Sequence, residues 1–289
     1  MSLPNPPTLP TMTIPWIERR SLLARIAGIS GPAVVIDTFR AFTTAAFLFD
    51  RGVERIVLAE TPEEARTVAS RIPGALLAGE DGGRRPDGFD IGNSPGEVMR
   101  LRHLPGNVVM RTSAGTRAVI TALREGADPV YAAALVVAEA TVTALRGRPR
   151  VTIVAAGESG ITRAVEDEET ADLIADRLLG SPHDPNRLHR MASGAGGLRL
   201  RASPWVDPRD LGHCLERDRF SFAMRARIED GLANLHREES VVIGSCVTAA
   251  ATCPDGLKTT AAGADTTRCV GERSATKGRR GPISCVIGK

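Results

Sequence analysis

Residues 107–133 read NVVMRTSAGTRAVITALREGADPVYAA and contain one complete strand–helix–strand unit. The short apolar run at 107–111 is typical of a buried strand, the segment 116–125 is predicted to be a helix, and a second apolar run follows at 129–133. Strands joined through a crossover helix run parallel in one sheet. This stretch therefore predicts an α/β fold.

The same alternation extends outward on both sides, from residue 33 to about residue 180. It predicts strands at 33–37, 54–59, 75–78, 107–111, 129–133 and 150–156. It predicts helices at 40–51, 62–71, 95–103, 116–125, 136–146 and 164–179. The expected fold class is α/β, with three α/β/α layers around a sheet that is mainly parallel or mixed.

Composition divides the 289 residues into three parts. Residues 1–29 are predicted to be an N-terminal extension, and residues 30–239 one α/β domain. Within that domain, 181–204 is rich in Pro, Gly and Arg and is predicted to be a flexible excursion, followed by a helical portion at 207–238. Residues 240–289 lack aromatic residues and sustained periodicity, which predicts a disordered basic tail.

Charge and apolar content exclude several classes of partner. The net charge is only +3 and aromatic residues make up 3% of the chain, so nucleic acid is not an expected partner. No apolar run approaches the roughly 18 residues that a membrane helix requires, and the N-terminus lacks the pattern of a secretory signal. We expect a cytoplasmic protein without a membrane partner, and a homo-oligomer is the usual state for such a protein.

Ligands of parallel α/β sheets bind beyond the carboxyl ends of the strands, so the residues that follow each predicted strand are the candidates for chemistry. Four strand ends carry polar or glycine-rich segments, including the charged loop 80–95. The candidate residues in these segments are Asp37, Arg40, Glu80, Asp90, Asn93, Ser94, Thr112, Ser113, Gly115, Thr116, Arg117, Glu158, Arg163 and Asp167.

Each candidate also has a purely structural interpretation. Asp37 could cap the helix that follows it, and the acidic run 166–169 could compensate the dipole of a first helical turn. The segment 112–116 could be an ordinary strand-to-helix turn. Ser94 is a helix cap in either case, because Ser94-Pro95-Gly96-Glu97 forms a capping box.

Several common mechanisms lack their motifs here. The chain has no G-x-x-x-x-G-K-[ST] loop and no G-x-G-x-x-G after a strand, and the glycine-rich stretch at 194–197 is out of register for a dinucleotide-binding motif. No cysteine precedes an arginine by six positions, as a thiolate phosphatase requires. The five histidines lie outside the strand-end segments, which argues against a Ser-His-Asp hydrolase.

Four segments carry a resemblance to a known family in sequence, order and spacing. They are VVIDTFRAFTT (34–44), LLAGEDGGRRPDGFDIGNSP (76–95), RTSAGTRA (111–118) and VAAGESG with the VED that follows it (154–160, 165–167). Together these segments resemble the 2-phosphosulfolactate phosphatase family. DLGHCLERDRFSFAM (210–224) is similar to the closing region of the family. The resemblance implies a Mg²⁺-dependent enzyme that removes phosphate from 2-phospho-3-sulfolactate in the route to coenzyme M.

The candidate residues suit phosphate hydrolysis even without the family resemblance. Hydrolysis of a phosphate monoester requires neutralised phosphoryl oxygens and an oriented water, which a carboxylate-held Mg²⁺ and an arginine provide. The candidate catalytic residues are Asp37, Arg40, Glu80 and Asp90. The candidate Mg²⁺ ligands are Asp37, Glu80, Asp90 and Asp167. The candidate substrate-binding residues are Asn93, Ser94, Thr112, Ser113, Gly115, Thr116, Arg117, Glu158 and Arg163, with Arg84 and Arg85 as further partners for a sulfonate or carboxylate.

The sequence thus favours a phosphatase that converts a small anionic 2-phospho-hydroxy acid, 2-phospho-3-sulfolactate, to 3-sulfolactate and phosphate. The alternative is a non-catalytic binder of a small anionic metabolite on the same fold. Ala114 raises that alternative, because the family often has asparagine at this position. The retained motifs around Glu80 and Asn93 favour the enzyme.

Overall fold

A nine-stranded sheet organises residues 14–239, the part of the chain that the computed structural model describes. Its strands are β1 (Trp16–Ser21), β2 (Gly31–Ile36), β3 (Arg55–Ala59), β4 (Leu76–Gly79), β5 (Asn107–Arg111), β6 (Ala127–Ala133), β7 (Arg150–Ala155), β8 (Phe222–Glu229) and β9 (Leu232–Glu239). The helices in these residues are α1 (Ala41–Asp50), α2 (Pro62–Ala69), α3 (Pro95–Arg100), α4 (Gly115–Arg124), α5 (Ala138–Leu145), α6 (Val165–Leu179), α7 (Arg187–Ser193), α8 (Ala195–Ala202) and α9 (Asp210–Cys214).

The sheet has two parallel parts joined by an antiparallel hairpin. Across the sheet the strand order is β1-β7-β2-β6-β8-β9-β3-β5-β4. β8 pairs antiparallel with β6, and β9 pairs antiparallel with β3. The hairpin β8–β9 therefore connects the group β1-β7-β2-β6 to the group β3-β5-β4 within one mixed sheet.

Local sequence explains the elements of the alternating region. The inner strands β2, β5 and β7 have runs of consecutive buried residues, as expected for strands covered by helices on both faces. Thr61 and Ser94 start α2 and α3 by accepting the amide hydrogens of Glu64 and Glu97, with proline at the next position in both. The predicted α/β fold is confirmed.

Apolar side chains fill the space between sheet and helices. The main core includes the buried segment Ala33–Ile36 of β2 together with Phe42, Phe47 and Leu48 of α1. A smaller cluster lies where α2 covers β3 and β5, and it includes Phe89. None of the helices described here is long and apolar enough to cross a membrane.

Three predicted boundaries differ from the structure. The predicted extension 1–29 contains β1, which pairs in parallel with β7 and is part of the sheet. The predicted flexible excursion at 181–204 contains α7 and α8, and Arg187 of α7 forms ion pairs with Glu169 and Asp176 of α6. In the predicted helical portion 207–238, only α9 is helical, and the hairpin β8–β9 follows it. The predicted tail 240–289 lies outside the described residues.

Candidate active site

The loops after β2, β4, β5 and β7 surround a cavity of about 210 Å³ at the carboxyl ends of these strands. Cavities for drug-sized ligands are larger, about 300–1,000 Å³, so this one suits a small metabolite. Its lining is formed by Asp37, Phe39, Arg40, Glu80, Gly82, Gly83, Asn93, Ser113, Ala114, Gly157, Glu158, Ser159, Ala164, Glu166, Asp167, Arg199, Leu200, Ser203, Trp205 and Val206.

Asp37 links the two parallel groups of strands. It follows β2 directly and is only 7% exposed. Its Oδ1 accepts a hydrogen bond from the Ala41 amide at 3.2 Å, and its Oδ2 accepts one from the Gly115 amide at 2.9 Å. A β-carbon at Gly115 would lie 2.7 Å from Oδ2, so glycine is required for this approach. Asp37 therefore does contact the start of α1, as the capping interpretation predicts, and it also lines the cavity.

Asp167 connects β2 and β7 from the first turn of α6. Its Oδ1 accepts the Thr38 amide hydrogen at 2.7 Å, and its Oδ2 accepts that of Gly157 at 2.9 Å. Gly157 has a φ of +75°, and a β-carbon there would lie 2.5 Å from the Thr162 carbonyl oxygen. A glycine is therefore needed to present this amide to Asp167.

Glu80 fixes the loop after β4 to the loop after β5. Its Oε1 accepts the Ser113 amide hydrogen at 2.5 Å, and its Oε2 accepts bonds from the Ser113 hydroxyl at 2.9 Å and the Gly83 amide at 2.7 Å. Each oxygen of an ionised carboxylate can accept more than one hydrogen bond or bind a cation as well. Asp37, Asp167 and Glu80 are thus anchored by backbone amides and retain lone pairs for a ligand.

Burial, with a smaller contribution from neighbouring negative charges, raises the pKa of three acids in the cavity. Burial is the main cause for Asp37, whose pKa rises to about 7, with the charges of Glu80 and Glu166 adding to the effect. Burial also raises the pKa of Asp167, together with the charges of Asp37 and Glu166. For Glu166 the cause is again burial. A cation among these carboxylates would relieve this electrostatic cost.

Arg40 is held beside these acids by a buried ion pair. Its Nη1 lies 2.8 Å from Oδ2 of Asp210, a carboxylate with no solvent exposure. The other oxygen of Asp210 accepts hydrogen bonds from the Ser94 hydroxyl at 2.7 Å and the Gly96 amide at 2.9 Å. Asp210 therefore fixes both the guanidinium and the start of α3.

Seven of the predicted residues line the cavity, namely Asp37, Arg40, Glu80, Asn93, Ser113, Glu158 and Asp167. Ser94, Thr112, Gly115 and Thr116 support it from behind. Thr112 and Thr116 are buried and bond to each other, with the Thr116 amide 3.1 Å from the Thr112 hydroxyl. These four positions therefore shape the site without lining it.

Three predicted residues lie away from the cavity. Asp90 is exposed, and its Oδ2 accepts the Leu77 amide hydrogen at 2.7 Å, so it holds its loop to β4 and is removed from the catalytic and metal candidates. Arg117 is half-buried on α4 and is not part of the lining. Arg163 contacts Ser21 and Glu168 in a different surface cavity and is removed from the substrate-binding candidates.

Sequence reasoning did not single out four residues of the site: Glu166, Arg199, Trp205 and Asp210. Glu166 belongs to the acidic run already noted, and its buried Oε2 has no hydrogen-bond partner in the described residues. Arg199 lies in α8, within the segment 181–204 predicted to be flexible, and Trp205 follows that segment directly. Asp210 is the first residue of the segment 210–224, which resembles the closing region of the family. That resemblance is the sequence signal that points to Asp210.

The oxygen atoms of the cavity fit a Mg²⁺ ion that the protein coordinates only in part. Within residues 14–239, no three Asp, Glu, His or Cys side chains are arranged to hold a metal ion on their own. Mg²⁺ is commonly held by one or two carboxylates, with water and substrate phosphate completing its shell. Glu166 Oε2 and Asn93 Oδ1 are buried oxygens without a partner in the described residues. Among the described residues, five acids and two arginines line the cavity, and their formal charge also favours a cation.

Comparison with known proteins identifies the chain's relatives. A family model described as 2-phosphosulpholactate phosphatase matches residues 22–195. A Deinococcus radiodurans protein named probable 2-phosphosulfolactate phosphatase is 42% identical over 149 residues, which are 51% of this chain and 61% of the relative. A relative of the same name from Thermus thermophilus is 37% identical over 147 residues, 50% of this chain and 60% of the relative.

A longer match comes from a Synechococcus protein, again named probable 2-phosphosulfolactate phosphatase. It is 32% identical over 216 residues, which cover 68% of this chain and 88% of the relative. The family model covers more than half of the chain and includes the loops that carry Asp37, Glu80 and Asp167. On both grounds the chain belongs to the 2-phosphosulfolactate phosphatase family.

Proposed function

We propose that the protein is a Mg²⁺-dependent phosphatase that hydrolyses 2-phospho-3-sulfolactate to 3-sulfolactate and phosphate. The observation that carries the proposal is the grouping of buried carboxylates from three loops beside Arg40 in a small cavity. The family names of the relatives support the substrate. The place of the reaction in the coenzyme M route and in the cytoplasm is part of the same proposal and rests on the family resemblance.

The charges of the cavity require a cation for this substrate. Within residues 14–239, five acids and two arginines line the cavity, and the substrate carries phosphate, carboxylate and sulfonate groups. One or two of the carboxylates Asp37, Glu80 and Asp167 would hold Mg²⁺, with water and substrate phosphate completing its shell. When bound there, Mg²⁺ would neutralise the phosphoryl oxygens during hydrolysis.

The remaining residues orient the substrate and accept a proton. Arg40, fixed by Asp210, binds phosphoryl oxygens through its cavity-facing N–H groups. Glu166 has a buried oxygen without a partner in the described residues, and we assign it as the acceptor of the proton from the attacking water. The neighbouring amides and hydroxyls hold the carboxylates in place, so little rearrangement is needed during the reaction.

Replacement of Asp37 by asparagine tests this function. Asp37→Asn retains the size of the side chain and can still accept one backbone hydrogen bond, but it removes a charge from the proposed Mg²⁺ site. We expect phosphate release to fall about 100-fold or more, while the protein stays folded. Phosphate release with and without Mg²⁺, together with a thermal melt of each purified protein, measures both properties.

The matched control is Asp90→Asn, because Asp90 is an exposed aspartate whose carboxylate accepts the Leu77 amide hydrogen outside the cavity. It should retain wild-type turnover. Wild-type activity in Asp37→Asn would contradict the site assignment. A wild-type protein that binds phosphorylated hydroxy acids in calorimetry but releases no phosphate from any of them would support the non-catalytic binder instead.

A further inference from the structure

The cavity has a wall that the sequence motifs do not include. Residues 199–206, at the end of α8 and just after it, contribute Arg199, Leu200, Ser203, Trp205 and Val206 to the lining. α8 packs against α6, which carries Glu166 and Asp167. Gly196 allows this packing, because a β-carbon there would overlap with the Glu166 carboxylate. The contact between α8 and α6 therefore holds this wall beside Glu166 and Asp167.

Arg199 differs in its surroundings from Arg40, the other arginine in the lining. Arg40 is almost fully buried, and its Nη1 is used by Asp210. The Arg199 side chain is 49% exposed, and its one hydrogen-bonded partner within residues 14–239 is Glu158, whose Oε1 lies 2.5 Å from Nη1. A guanidinium has five N–H donors, so Arg199 retains donors for a planar or tetrahedral anion.

The arginines predicted from sequence do not supply such a group. Arg84 stacks on the Trp205 ring with its guanidinium carbon 4.0 Å from the ring centroid, and Arg85 bonds the Asp90 carbonyl oxygen. Arg117 and Arg163 lie outside the cavity lining. Arg199 is thus the half-exposed cation that the described part of the chain presents to the cavity.

The substrate of the proposed function carries its anionic groups at different distances from phosphorus. The carboxyl carbon is bonded to the carbon that carries the phosphate, and the sulfur is one carbon further away. With phosphate bound beside Arg40 and the buried acids, the sulfonate has the longer reach of the two remaining groups and can extend further toward the wall that carries Arg199. We propose that Arg199 binds this sulfonate and makes the enzyme prefer sulfonated substrates, an inference that rests on the proposed function.

Glu158 has a positioning role in this arrangement. Its hydrogen bond to Nη1 holds the guanidinium at the cavity wall, and the remaining N–H groups can donate to sulfonate oxygens. The loop of Glu158 is itself ordered by hydrogen bonds between Glu158 and Thr162, with the Glu158 amide 2.8 Å from the Thr162 carbonyl oxygen. The Arg199 side chain therefore has restricted conformational freedom at the cavity wall. Less entropy is lost on binding, which favours binding of a weakly basic anion.

Three substrates separate the contribution of each anionic group. 2-Phospho-3-sulfolactate has all three groups, 2-phospholactate lacks the sulfonate, and 2-sulfoethyl phosphate lacks the carboxylate. Arg199→Gln should lower kcat/KM about 10- to 100-fold for the two sulfonated substrates, since it removes a charge-assisted hydrogen bond. The loss should appear mainly in KM, because the sulfonate takes no part in the reaction. For 2-phospholactate, kcat/KM should stay within about 2-fold of wild type.

Arg201→Gln is the matched control. Arg201 lies on the same helix and carries the same charge, but it is exposed and outside the cavity lining. It should leave the kcat/KM of all three substrates unchanged. Arg199→Lys retains a positive charge without the planar fork and should restore part of the preference for sulfonate. If Arg199→Gln folds poorly, Arg199→Lys provides a second test of sulfonate binding at this position.

Each outcome separates this inference from the proposed function. An equal loss on 2-phospholactate in Arg199→Gln would overturn the inference, and so would a loss on 2-phospholactate that spares 2-sulfoethyl phosphate, which would assign Arg199 to the carboxylate. A wild-type enzyme that hydrolyses 2-phospho-3-sulfolactate and 2-phospholactate equally well would overturn it too, with the phosphatase function intact. Absence of wild-type turnover on every substrate would instead mean that the proposed function has failed.

Discussion

Asp210 shows how a single buried carboxylate can organise a site without lining its cavity. It accepts hydrogen bonds from Ser94 and Gly96 on one oxygen and binds Arg40 through the other. Burial of a charge is costly unless it is paired, and here an arginine and two further donors compensate it. The orientation of Arg40 toward the cavity therefore depends on Asp210.

Asp210→Asn is expected to weaken phosphate binding. Asparagine can retain the bonds from Ser94 and Gly96 on its oxygen, but its amide group would then face the Arg40 guanidinium as a donor. Loss of a supporting residue of this kind commonly costs about 10- to 100-fold in affinity or activity. We expect kcat/KM to fall by that factor and the inhibition constant for inorganic phosphate to rise with it.

Asp207→Asn controls for simple destabilisation. Asp207 is also buried, but its ion pairs are with Arg100 and Arg209, which do not line the cavity. This variant should lower the Tm without changing inhibition by phosphate. If Asp210→Asn lowers only the Tm and binds phosphate like wild type, Asp210 is structural and does not position Arg40.

The site residues that follow strands were predictable from sequence, and those reached by long-range contacts were not. Asp37 and Glu80 come directly after buried apolar runs, so strand position alone predicts that they face the same edge of the sheet. Asp210 lies 170 residues from Arg40, and nothing in the local sequence around either residue indicates their ion pair. Asp90 illustrates a related limit, because loop composition does not show which carboxylate turns toward the strand.

At the level of elements, the hairpin β8–β9 is the least expected part of the fold. Its strands pair with β6 on one side and β3 on the other, so it joins the two parallel groups of the sheet. The turn consists of Asp230 and Gly231, whose φ angles of 52° and 77° are both positive. Positive φ at both central positions is the requirement of a type I′ turn, which favours Asp-Gly.

Gly231→Ala should destabilise the protein through this turn. A residue with a β-carbon is destabilised by about 1–2 kcal/mol in the left-handed backbone conformation. This cost corresponds to a fall in Tm of about 2–8 °C for a domain of this size. The transition should remain a single step, since the hairpin lies inside the sheet. Thermal unfolding followed by circular dichroism measures both the midpoint and the shape of the transition.

Gly212→Ala provides the comparison for this substitution. Gly212 lies in α9 without a positive φ, and a β-carbon there would have no atom within 4 Å. Its Tm should equal or slightly exceed that of wild type, since alanine favours helix. An unchanged Tm in Gly231→Ala would show that the turn does not depend on glycine.

Sequence patterns identified the parallel strands β2 to β7 well but missed the edge strand β1 and the hairpin, and composition explains why. The strands of the alternating region are short runs of buried apolar residues, which few other structures produce. β8 and β9 carry many Arg and Glu residues, as does the edge strand β1, and such composition resembles an exposed helix or a linker. The Asp-Gly pair at 230–231 was the available signal for a hairpin.

For the molecule as a whole, the cavity acids create a conflict between folding and ionisation at neutral pH. Folding buries Asp37, Asp167 and Glu166 near one another, and burial raises the pKa of each. The protonated forms are compatible with this arrangement, whereas the ionised forms repel each other unless a cation is present. Stability should therefore depend on both pH and Mg²⁺.

The metal-free protein is expected to be less stable at pH 8 than at pH 5. The pKa of Asp37 is about 7 in the folded protein against an ordinary value of 3.8, so the folded state binds this proton more tightly than the unfolded chain does. The resulting stabilisation is complete below the ordinary pKa and is lost as pH rises through 7. Mg²⁺ binds the ionised carboxylates and should therefore raise the Tm more at pH 8 than at pH 5.

Melts in EDTA and in Mg²⁺ across pH 5–8 measure this dependence, with two variants as references. Asp37→Asn has no proton to lose at this position, so its Tm in EDTA should fall less with pH than that of wild type. Asp90→Asn, which removes an exposed carboxylate outside the cavity, should keep the wild-type slope. A wild-type Tm in EDTA that stays constant or rises from pH 5 to pH 8 would contradict the prediction. So would a Mg²⁺ effect of equal size at both pH values, because it would place the cation away from the buried acids.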